Sequence, residues 1–169
     1  MTRRLWPEAL STQNLGQVAE YITSCIKIPD CKGSRGGAVS DGVWYRSSDS
    51  QPEDVICCEA CYEDRVAGSP FVERFVRCAS PQREDKIWSC DLCLPFISRA
   101  LELYAKSNNW LVFRVIVEQR LHLPVCEGKA VNTSTRRWYR TRHLTQALWT
   151  CEGCYLDKSR LPPSIRSSN

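Results

Sequence analysis

The stretch Leu123–Ser159, LPVCEGKAVNTSTRRWYRTRHLTQALWTCEGCYLDKS, decides the reading of this chain because its landmarks have already occurred once. Ile28–Val66, IPDCKGSRGGAVSDGVWYRSSDSQPEDVICCEACYEDRV, carries them in the same order. Pro29-Asp30-Cys31-Lys32-Gly33 lines up with Pro124-Val125-Cys126-Glu127-Gly128, and Trp44-Tyr45-Arg46 with Trp138-Tyr139-Arg140. Cys58-Glu59-Ala60-Cys61-Tyr62 lines up with Cys151-Glu152-Gly153-Cys154-Tyr155, and Asp64 with Asp157. The offset drifts from 95 (126 − 31) through 94 (138 − 44) to 93 (151 − 58), as single-residue insertions or deletions in loops make it do.

The likeness extends upstream. In LGQVAEYITSCIKIPDC, Leu15, Val18, Ala19, Ile22, Cys25 and Ile26 fall at helical spacing. In WLVFRVIVEQRLHLPVC, Trp110, Val112, Phe113, Ile116, Val117 and Leu121 do so less cleanly. Pro29 and Pro124 stop both helices, because the residue before a proline is pushed out of the helical region. The repeat unit is therefore read as helix, Pro-x-Cys turn, β-hairpin, then Cys-x-x-Cys opening a second helix. The fold class that follows is small α+β, with two cysteine-bearing pseudo-repeats.

Residues 10–70 form the first unit, 110–160 the second, and 71–109 a helical bridge, all within one compact domain spanning 1–169. In the bridge, SPFVERF continues the preceding helix or starts a short new one, and CASPQREDKIWSC reads as a loop. LPFISRALELYAKSN is an amphipathic helix with Phe96, Ile97, Ala100, Leu101 and Tyr104 on one face. It breaks at Ser107-Asn108-Asn109, and the next helix opens at Trp110. Residues 161–169, with two prolines and little apolar content, read as a frayed tail.

Composition narrows the chemistry. The chain of 169 residues is 43% hydrophobic and 25% charged, which is ordinary for a folded protein, and its net charge of +4 demands no particular partner. The abnormal count is cysteine, at eleven. MTRRLWPEAL has basic residues without an apolar run behind them, which predicts no secretory leader. Apolar runs such as WLVFRVIV are too short for a membrane span. The expected location is cytoplasm or nucleus, where thiols stay reduced and clustered cysteines point to metal. A disulfide-bonded secreted effector is the alternative.

Structural zinc takes four ligands and favours thiolate, and a Cys-x-x-Cys step lets the chain curl around one ion. Three such steps occur: Cys58/Cys61, Cys90/Cys93 and Cys151/Cys154. Each repeat supplies three cysteines, Cys31, Cys58 and Cys61 or Cys126, Cys151 and Cys154. The fourth ligand is expected from the bridge, Cys78 for the first site and Cys90 or Cys93 for the second, with His122 and His143 ranked behind them. That gives about two zinc ions per chain, at four ligands each. Cys25 and Cys57 have no counterparts and read as small buried hydrophobes.

Thiol redox chemistry is a rival, since a Cys-x-x-Cys at a helix start can carry a lowered pKa. It ordinarily uses one exposed pair in a strand-helix-strand frame, so three pairs with partner cysteines fit metal better.

RRWYRTR followed by LWTCEGCYLDK resembles the second half of a treble-clef zinc module of the GATA type. It departs from that pattern where only Cys126, or Cys31, stands in place of a Cys-x-x-Cys knuckle, so DNA binding does not transfer. LPVCEGK, WSCDLC, ALELYAKSNNW and CEGCYLDK together, over nearly the whole chain, are similar to a cysteine-rich family of filamentous fungi. That resemblance implies this architecture and a fungal source, and no activity.

Arg136, Arg137, Trp138, Arg140 and Arg142 mix cations with aromatics, a pattern that can bind nucleic acid. Both copies keep Trp-Tyr and only the second keeps the cations, so packing explains the aromatics and any binding role falls on the arginines. Asp64 and Asp157 read as carboxylates favoured by a helix N-terminus. The pattern offers no nucleophile-base pair, phosphate loop or His-Glu zinc step, and two histidines are too few for an open catalytic shell. The expectation is a non-catalytic zinc-binding interaction module, with a protein partner ahead of nucleic acid and no membrane role.

Overall fold

A computed structural model describes residues 7, 9–12, 14–48, 54–78, 86–124, 126, 128, 137–140 and 149–158. The expected tail, His143, Arg136 and Arg142 lie outside the described residues. Residues 9–12 are helical; the next helix, labelled α1, spans Gly16–Cys25, and the Asn14 side chain accepts from the Gly16 N–H at 2.9 Å where it begins. It ends three residues short of Pro29 at Ile26, as the proline requires.

The strands come next. β1 (Gly37–Ala38) pairs antiparallel with β5 (Ile87–Trp88), with Gly37 opposite Trp88. Gly36, with φ at 73°, precedes this ladder. A Cβ there would stand 2.8 Å from the Trp88 carbonyl oxygen, so only glycine allows the two chains to approach. β2 (Trp44–Ser47) is the centre of a three-stranded antiparallel sheet, between β3 (Ile56–Cys58) and β4 (Phe75–Arg77). α2 (Glu59–Cys61) follows β3 directly and continues as a π-helical turn over Tyr62–Val66.

One expectation for the bridge is met in part, and a second needs correction. SPFVERF starts a short new helix of only one 3-10 turn, Val72–Arg74, which then leads into β4. The sequence looked helical because Phe71 and Phe75, four apart, both point inward, to 5.0 and 5.9 Å from the Trp110 ring. The free edge of β2 captures Phe75–Arg77, and that pairing is not local. The WSC end of the expected loop contains β5.

The helical hairpin is as expected. α3 (Pro95–Lys106) buries Phe96, Ile97, Ala100 and Leu101, and α4 (Trp110–Leu121) returns after a turn in which Asn108 takes φ 48°. Asn109 caps α4 by accepting from the Val112 N–H at 3.2 Å. The apolar pattern of α4 is blurred because Arg114 and Arg120 are buried beside Trp110, Phe113, Ile116 and Val117. One buried cluster runs from Trp44 and Phe75 of the first sheet through Phe71, Trp88 and Leu92 to both helices.

The second hairpin, β6 (Trp138–Arg140) with β7 (Trp149–Cys151), leads straight into α5 (Glu152–Lys158). α5 docks on the helical hairpin through Asp157, which accepts from Arg120 Nη2 at 2.7 Å and Nε at 3.2 Å. Arg99 Nη2 also donates to the Leu156 carbonyl at 2.8 Å. Asp157 is thus the anchor of α5, not a first-turn carboxylate facing the helix dipole: it is the last residue but one of the helix. Asp64, its counterpart in the alignment, is exposed beside Arg65.

Candidate metal centres

Among the described residues, two groups of cysteines have sulfurs close enough to hold a metal ion. One is Cys31, Cys58, Cys61 and Cys90, and the other Cys126, Cys151 and Cys154, each with sulfurs within 4.8 Å of one another.

The first group is assembled from three chain segments. Cys58 is the last residue of β3 and the N-cap of α2, still extended at ψ 162°, while Cys61 closes the first helical turn. The change from strand to helix between them curls the step so that both thiols face one point. Cys31 lies in the turn after α1, and the left-handed Gly33 (φ 66°) directs its own N–H to the Cys31 sulfur at 3.4 Å. Cys90 follows β5, and its N–H reaches back to the Gly33 carbonyl at 3.5 Å. The β1–β5 ladder is therefore the device that brings Cys90 to Cys31. Asp91 ties the same loop to β3 by accepting from the Ile56 N–H at 2.8 Å.

The thiols act on one another. Hydrogen bonds from Cys61 and then Cys90 pull the Cys58 pKa far down. Cys61 and Cys90 are pushed up, first by their bonds to Cys58. Thiols this close favour a thiolate at Cys58, and thiolate is the form that binds soft metals.

Cys90, rather than Cys78, is the fourth member of this group. Cys78 follows β4, and its N–H donates to the Trp44 carbonyl at 2.8 Å. Trp44 sits opposite Cys58 on the other edge of β2. Two strand spacings, roughly 10 Å, therefore separate Cys78 from Cys58. Cys93 is half-buried near Cys31, its thiol pushed up to about 11 by burial and then by Cys31, but it joins neither group. Cys57 is fully buried in the core, as read from the sequence, and Cys25 is half-buried.

The second group draws all three described cysteines from its own unit. Cys151 ends β7 and is buried, Cys154 lies within α5, and Cys126 is exposed. Burial, then Cys126 and Cys151, push the Cys154 thiol up to about 12. Neither Cys90 nor Cys93 reaches this group. His122 is exposed at the end of α4, its Nδ1 2.8 Å from the Glu118 carbonyl, and belongs to neither group.

Both hairpins place their clustered cysteines by the same register. Trp44 faces Cys58, Tyr45 faces Cys57 and Arg46 faces Ile56. Trp138 faces Cys151, Tyr139 faces Thr150 and Arg140 faces Trp149. The Glu59 N–H donates to Val43 and the Glu152 N–H to Arg137. Tyr45 stacks on Tyr62 at 3.7 Å, and Tyr139 on Tyr155 at 4.1 Å. These stacks are the packing role expected of the Trp-Tyr pairs.

Of the expected binding residues, Arg137 is exposed and stands 3.9 Å from Glu152, Trp138 is half-buried, and Arg140 lies over the Trp149 ring at 5.9 Å. Trp149, 60% exposed, is the residue the sequence reading passed over. Its alignment with Ile56 was the available signal. No helix among the described residues is long and apolar enough to cross a membrane. No family model, curated protein or solved structure matches the chain, so the site is read from its own chemistry.

Proposed function

We propose that this chain is a non-catalytic zinc-binding protein in which two related hairpin-helix modules are held by metal and present a surface to a macromolecular partner. The observation that carries the reading is the four-thiol group Cys31, Cys58, Cys61 and Cys90. Tetrahedral zinc with Zn–S bonds of about 2.3 Å places its sulfurs about 3.8 Å apart. Sulfurs already within 4.8 Å of one another need little movement to meet that geometry. A closed four-thiolate shell leaves no position for substrate, which favours a structural ion. Cys126, Cys151 and Cys154 would hold the second ion. The matching registers and tyrosine stacks support two copies of one module. Cysteines clustered for metal fit a reducing compartment, cytoplasm or nucleus.

One observation favours a second reading. Cys58 at the N-cap of α2 with Cys61 at its end is also the Cys-x-x-Cys arrangement of a disulfide-exchange pair. Two further thiols converging on the same point argue for metal instead. Elemental analysis with native mass spectrometry on tag-free protein separates them. About two zincs per chain are expected, given the two groups. Metal-free protein carrying several disulfides sinks the proposal.

A further inference from the structure

The interaction-module reading leaves the surface and the partner unnamed, and the second hairpin supplies both. Residues 128–151 contain Lys129, Arg136, Arg137, Arg140 and Arg142 and no Asp or Glu. These five cations exceed the chain's net +4, so the remainder sums to −1 (4 − 5). The equivalent residues of the first unit, 33–58, hold two arginines and four carboxylates. Positive charge is thus concentrated on one module of two that share an architecture.

Of these five cations, Arg137 and Arg140 are among the described residues. Strand alternation places Trp138, Arg140 and Trp149 on one face of the β6–β7 hairpin, with Arg140 directly opposite Trp149. At the same register position the first hairpin has Arg46 opposite Ile56, and Arg46 is ion-paired with Asp54 at 3.5 Å. In the second hairpin that place holds an exposed indole with a guanidinium above it, 5.9 Å from the ring centre. An exposed tryptophan costs solubility unless it meets something flat. A cation beside it suits a ligand whose flat groups alternate with negative charges.

Building on the zinc-module reading, we infer that the β6–β7 face binds single-stranded nucleic acid, with a base stacked on Trp149 and a phosphate on Arg140. Unpaired bases expose their faces, and stacking on an aromatic is tolerant of sequence. A duplex hides those faces, and an acidic peptide uses the cations without needing the indole.

The test is fluorescence anisotropy with the full zinc-loaded chain and labelled 20-nucleotide single-stranded RNA, single-stranded DNA and duplex DNA, and with a polyglutamate peptide. Zinc content is measured on the same samples. Single strands of either sugar should bind best, with a log–log salt slope of about −0.7 for each phosphate engaged. Trp149→Ala should weaken binding roughly tenfold or more, and Trp149→Phe by less. Arg140→Gln should weaken binding and flatten the salt slope. Zinc-loaded wild-type protein that binds no single strand at 50 mM salt overturns the inference and leaves the zinc reading standing. So does a duplex or polyglutamate bound as tightly, or Trp149→Ala binding as wild type. Protein without zinc defeats the underlying reading instead.

Discussion

Replacing single thiols separates ligands from bystanders. Cys90→Ser should remove one zinc per chain, because serine offers no soft thiolate to complete the group with Cys31, Cys58 and Cys61. Cys78→Ser and Cys93→Ser should keep the full metal count, since neither sulfur belongs to a cluster. Native mass spectrometry of the three variants checks this, and equal loss from Cys78→Ser would move the fourth ligand back across the sheet. The three cysteines of each repeat were legible because spacing within a turn is local chemistry. The choice of Cys90 over Cys78 was not legible. It depends on which edge of β2 receives β4 and on a two-residue ladder, Gly37 and Ala38 with Ile87 and Trp88, too short to announce itself by alternation.

At the scale of elements, that ladder and the Arg120–Asp157 pair are the joints. Gly36→Ala would force a Cβ to 2.8 Å from the Trp88 carbonyl and strain a residue at φ 73°. Neither effect touches a thiol, yet the variant should bind its first zinc at least about tenfold more weakly, a cost of the order expected for backbone strain. Competition against a chromophoric chelator measures it; unchanged affinity would mean that β1–β5 does not position Cys90. The Arg120 and Asp157 side chains are only 10% and 17% exposed, so removing one partner leaves a largely buried charge. Asp157→Ala should cost about 3–5 kcal/mol, a fall in Tm of roughly 10 °C at this chain length, read by circular dichroism at saturating zinc. The helical hairpin was legible from its periodicity and the Asn109 cap. β4 was not, because two inward phenylalanines four residues apart match a helix face. Nor was the role of Asp157, whose partner lies on another helix.

Across the whole molecule, the two sites differ in what they hold together. Cys61 and Cys90 belong to the buried cluster shared by the first sheet and both long helices, and Cys31 and Cys58 pack against it. The second group has an exposed member in Cys126, and its hairpin joins the body through α5 and the Arg120–Asp157 pair. Structural zinc contributes about 10–16 kcal/mol in small modules, as much as the whole stability of a typical domain. Losing the first ion should therefore unfold the core, whereas losing the second should release only the terminal hairpin. Under graded chelation one zinc should leave first, while far-ultraviolet circular dichroism keeps the α3–α4 helical signal and Trp149 fluorescence shifts. The second should leave together with the cooperative loss of that helical signal. Because thiolate ligands must regain protons to let go, both steps should come at lower chelator concentration as the pH falls. Simultaneous loss of both ions with the fold would show instead that the hairpins form one cooperative unit.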